Sequence, residues 1–130
     1  MLKTEDMQVR EGSEAPAISQ RDELVMKEMK DLDKLILALP AVLHFSKVQT
    51  LKRQADELQP RSAALMLALH LNRPPSEMVV SSSDLLTSIR QLAQLASKSR
   101  LSQNGQLTVK LLVDLAARLQ ADLIRMNAVA

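Results

Sequence analysis

The stretch LTVKLLVDLAARLQADLIRMN, residues 107–127, decides how this chain folds. Leu111, Leu112, Leu115, Leu119, Leu123 and Met126 recur at steps of one, three and four, which marks one apolar face of an α-helix. Lys110, Asp114, Arg118 and Asp122 follow at steps of four with alternating sign, the pattern of a solvated outer face. Just before it, Ser102-Gln103-Asn104-Gly105 reads as a turn, because Asn and Gly tolerate positive φ. A turn this short joins antiparallel neighbours, so the preceding segment should be a helix too.

That segment has the right pattern. Leu85, Ile89, Leu92 and Ala96 form a stripe, broadened by Leu86, Ala93 and Leu95, and Ser82 or Ser83 is placed to cap its start with Asp84 in the first turn. Residues 72–82, with Pro74-Pro75 and a Ser run, read as the clearest break. Upstream, residues 60–72 are apolar nearly all round and read as a central helix with Pro60 at its first position. Residues 41–58 read as another helix, burying Phe45, Val48, Leu51, Ala55 and Leu58. The first helix opens near Ser19 or Gln20, carries Val25, Met29, Leu32, Ile36 and Leu39 on one face, and ends or kinks at Pro40. Residues 1–20 lack periodicity and read as a flexible tail before one helical domain, 21–130. The expectation is an all-α bundle of four or five helices.

Composition agrees and excludes much chemistry. The 130 residues include no Cys, Trp or Tyr, one Phe, two Gly and seven Met. Absence of Cys removes disulfide frameworks and Cys-based metal and redox sites. The start shows no apolar core of a secretory signal, and the most apolar run, 62–71, is half of what a membrane span needs. A soluble, cytoplasmic protein with no membrane span is expected. The net charge of +2 divides unevenly: −2 over 1–20, zero over 21–59 and +4 over 60–130.

Candidate chemistry is sparse. His44 is followed three residues later by Lys47, and this pair resembles the exposed His and Lys of histidine phosphotransfer domains. The resemblance covers two residues and implies a phosphorylatable His on a helical bundle. Val48 stands where that family has a small residue. The alternative is a partly buried His beside the break at Pro40. His70 suits the last turn of a helix, where its charge meets the negative end of the dipole. Ser81-Ser82-Ser83 reads more simply as a cap than as a phosphorylation target. No Gly-rich loop, His-x-x-x-His motif or nucleophile with its base is present, so no enzyme, cofactor or metal is expected.

Two functions remain. The first is a non-enzymatic protein-interaction module: an adaptor, an export-chaperone-like binder or a regulatory subunit. It would bind another protein, itself as a homodimer, or both, through the helix-one stripe Met26, Met29, Leu32 and Ile36, which Leu24 and Leu37 widen beyond one packing seam. Flexible Met side chains suit varied partners. The alternative is a DNA-associated regulator using the basic C-terminal half. The alternating ladder of residues 110–122 disfavours it, because its acids cancel attraction for phosphate.

Overall fold

The computed structural model describes residues 23–44 and 46–129, and the expected tail and Phe45 lie outside the described residues. The described residues form four helices: α1, helical over 23–42; α2, Gln49–His70; α3, Pro75–Ser97; and α4, Gln103–Val129. Among the described residues there is no strand.

The α1 stripe is core. Val25, Met29, Leu32, Ile36, Leu39 and Leu43 are all buried, at steps of four and three. The pattern runs past Pro40, which sits exposed in the last turn, and the helix continues two residues beyond it. The break falls at 43–48 instead. There Val48, expected inside a helix, caps the start of α2 with its side chain exposed.

The two helices expected over 41–58 and 60–72 are one. Pro60 lies inside α2 on its exposed face, where its ring meets solvent while Leu58 and Ser62 on the other face stay buried. Nor is the 62–71 run buried all round, since Leu67 and Leu71 face outward. The end of α2 is a Schellman turn. Asn72 takes a positive φ of 51°, its N–H donates to the Leu69 carbonyl, and the Arg73 N–H donates to the Ala68 carbonyl at 3.0 Å. The left-handed residue is therefore Asn72 and not Gly105.

Helix α3 starts at Pro75, earlier than Ser82, because Pro at the first helical position lacks only an N–H that would have no partner anyway. Ser82 consequently sits inside the helix, buried, donating to the Val79 carbonyl at 2.9 Å. Helix α4 starts at Gln103. Ser102 is its cap, accepting from the Gly105 N–H at 3.1 Å. Gly105 is helical and buried, and a Cβ there would sit 3.4 Å from Leu101 and Ser102.

The buried row of α4 is Gly105, Val109, Leu112, Ala116, Leu119 and Leu123. Leu111, expected inside, is 51% exposed, while Leu115 and Met126 are half-buried and Asp122, expected on the outer ladder, is buried. Small residues form part of the inner row. Gly105 packs against Leu101 and Ser102 of the preceding connection, and Ala116 is buried in the same row as Leu112 and Leu119, so the inner face of α4 carries small as well as large side chains.

The helices alternate in direction around one core. Gln54 of α2 bonds Gln91 of α3, and Arg61 bonds Ser88, so rising numbers on one meet falling numbers on the other. Buried Ser62 of α2 donates to Asp33 of α1 at 2.8 Å, and Glu28 of α1 packs beside Asp122 and Arg125 of α4. The result is an up-down-up-down four-helix bundle. One pole gathers the start of α1, the end of α2, the start of α3 and the end of α4. The opposite pole holds the α1–α2 and α3–α4 connections.

Candidate functional site

The first pole carries an apolar opening of about 490 Å³ between α1 and α4. Leu24, Val25, Met126, Ala128 and Val129 line it together with the Asp122 and Arg125 pair. Leu24 and Val129 are 52% and 70% exposed. A smaller recess of about 250 Å³ shares Val25 and Met126 and adds Met26, Leu69 and Met78. Val25 and Met126 thus form a ridge between two apolar hollows.

The four residues expected to bind a partner separate here. Met26 is half-buried and lines the smaller recess. Met29, Leu32 and Ile36 have no exposed surface, because α2 to α4 already cover that face. The accessible apolar side chains on α1 include Leu24 and Met26 at this pole and Leu37 farther along. Periodicity showed which face of α1 is covered; on α4 the periodic stripe closes at Met126, and Ala128 and Val129, which complete the opening, lie beyond it.

Beside the opening, charged groups line the α1–α4 seam. Glu28 is 6% exposed and its Oε1 is buried with no hydrogen-bond partner. Burial pushes the Glu28 carboxyl above its ordinary range, against the opposing pull of Arg118 and Arg125. Asp122, also buried, pairs with Arg125. The raised value means that the folded protein binds the Glu28 proton more tightly than the unfolded chain does. Ionised Glu28 therefore costs stability above its folded pKa, and the cost fades as pH falls toward the unfolded value. Glu28→Gln is expected to raise the melting temperature at neutral pH and to lose that advantage near pH 4. An equal gain at both pH values would remove ionisation as the cause.

The opposite pole is basic. Residues 34–60 and 89–116, the half of the bundle nearest the two connections, carry eight Lys or Arg and three Asp or Glu, a net +5. The other described residues carry six and seven, a net −1. The asymmetry seen along the sequence is thus redrawn by the fold, because Lys47, Lys52 and Arg53 of the first half join Lys98, Arg100 and Lys110 of the second. Between α3 and α4 at this pole runs an open groove of about 500 Å³, lined by Ala93, Ala96, Ser97, Val109, Lys110 and Val113. Among the described residues the ion pairs are Arg73–Glu77 and Arg125–Asp122, so the Lys110, Asp114, Arg118 ladder does not pair along its length.

The two His residues lie apart. His44 is exposed in the turn after α1, and its carbonyl accepts from Lys52 Nζ at 3.1 Å. Lys47 is in the connection, so the pair does not share a helix face. His70 ends α2 with Nδ1 2.9 Å from the Met66 carbonyl, the place its sequence context suggested. Among the described residues no group of three His, Cys, Asp or Glu converges to hold a metal ion, and no helix is long and apolar enough to cross a membrane. In comparisons with known proteins, no family model, no curated protein and no solved structure matches this chain.

Proposed function

We propose that this protein is a non-enzymatic, cytoplasmic interaction module, an adaptor or regulatory subunit, that takes an apolar helical segment of another protein into the opening between the start of α1 and the end of α4. The observation that carries the reading is the pair of hollows around Val25 and Met126, with Leu24 and Val129 half or more exposed at the rim. Concave apolar surface of this kind is where a helix ridge loses its water. Met26, Met78 and Met126 can adjust to the shape of the incoming side chains. The partner-binding set on α1 is accordingly Leu24 and Met26, with Met29, Leu32 and Ile36 supporting them from inside.

The test is capture on the immobilised full chain from its native host, followed by titration of the recovered protein. Leu24→Glu combined with Val129→Glu is expected to weaken binding by about tenfold or more, as loss of interface anchors does. The melting temperature should not change, because both side chains face solvent. Unchanged affinity would overturn the assignment. Loss of a dimer on sizing chromatography in the same variant would make the occupant a second copy of this chain.

A further inference from the structure

We propose that the α3–α4 groove at the basic pole is a second docking surface, and that it takes an acidic amphipathic helix of a partner protein. Its floor is Ala96 and Val109, both buried, with half-buried Ala93 and Val113 on its sides. Two antiparallel helices with small and branched residues along their seam leave a channel into which a third helix can lay one ridge. Ser97 and Gln106 complete the lining around these four apolar residues.

Its lining holds one cation and one acid, Lys110 and Asp114, and three further exposed cations lie just outside it in the sequence of α3 and the α3–α4 connection. Lys110 lines the α4 bank. Arg90 stands one turn before Ala93 on α3 and is exposed. Lys98 and Arg100, also exposed, lie in the connection that closes one end. Asp114 is the acid on the lining. None of these five groups is in an ion pair among the described residues. Lys110 and Asp114 are four apart in the less favourable order, base before acid, and do not pair. Four unpaired cations beside one acid are complementary to carboxylates flanking an apolar stripe.

A uniformly charged phosphate backbone fits less well. Asp114 would repel it, and the apolar floor would gain nothing from it. A peptide can set an apolar or basic side chain opposite Asp114 and carboxylates opposite Arg90, Lys98, Arg100 and Lys110. The surface lies at the far pole from the opening between α1 and α4, and the two share no lining residue.

A displayed library of amphipathic helical peptides with randomised flanking charges, selected on the full chain, tests the assignment. Enriched sequences are expected to carry apolar residues at helical spacing with acidic flanks. Their affinity, read by fluorescence anisotropy, should fall as salt rises and drop about tenfold or more in Arg90→Glu with Lys110→Glu, as reversal of close charges does. Both positions are exposed, and circular dichroism should show the fold intact; Arg90→Gln with Lys110→Gln should give a smaller loss. Leu24→Glu with Val129→Glu should leave this binding unchanged, which separates failure here from failure at the other pole. Enrichment without acidic flanks, affinity insensitive to the reversal, or tighter binding of random-sequence duplex DNA to the same residues would overturn it.

Discussion

Met29→Asp with Ile36→Asp is expected to leave no cooperatively folded protein at room temperature. Both side chains have no exposed surface and sit in the middle of the α1 stripe. Among the described residues no Lys or Arg is buried, and the stripe belongs to an apolar core with Val25, Leu32 and Leu39 of α1 and residues of the other three helices. Each carboxylate would be buried without a partner or forced to stay protonated, and such changes cost more than about 4 kcal/mol apiece. Domain stability is about 5–15 kcal/mol in all. The expected observation is a flat thermal melt with reduced helical signal. A variant that melts at the parent temperature would show that this face of α1 is open in solution and that the bundle is not closed as described.

Leu119→Ala is expected to destabilise by about 2–5 kcal/mol, the range for truncating a buried Leu. Leu119 is on the inner row of α4, between Ala116 and Leu123. Leu111→Ala removes the same atoms from a side chain 51% exposed and is expected to cost under about 1 kcal/mol. Chemical denaturation of both variants measures the difference directly. Equal costs would mean that α4 is rotated from the orientation set by Gly105, Val109 and Ala116.

The contrast between these two Leu residues shows what the sequence makes legible. Along α1, side-chain size and burial coincide, so steps of four and three name Val25, Met29, Leu32, Ile36 and Leu39 correctly. Along α4 they diverge. Gly105 and Ala116 are small yet lie on the inner row, while Leu111 is half exposed, so the buried face of α4 does not follow side-chain size. The prolines mislead for a related reason. Pro40 and Pro60 each remove one hydrogen bond, yet burial of Leu39, Leu43, Leu58 and Ser62 on the opposite face holds the helices together across them. Pro75, by contrast, begins a helix as its chemistry favours.

The candidate surfaces were less legible than the fold. Met26 was singled out and does line a hollow, but three of its companions are interior. The opening needs residues from both ends of the described chain, Leu24 and Val129, and the basic pole draws Lys47 and Arg100 from two separate connections. Only the up-down-up-down course of the helices brings such distant residues to one place.

Amide hydrogen exchange of the full chain, free and bound to its captured partner, tests the proposed docking site most directly. Slowed exchange on binding is predicted over residues 24–27 and 124–129, the first described turns of α1 and the last turns of α4. Slowed exchange elsewhere, with those two segments unchanged, would contradict it.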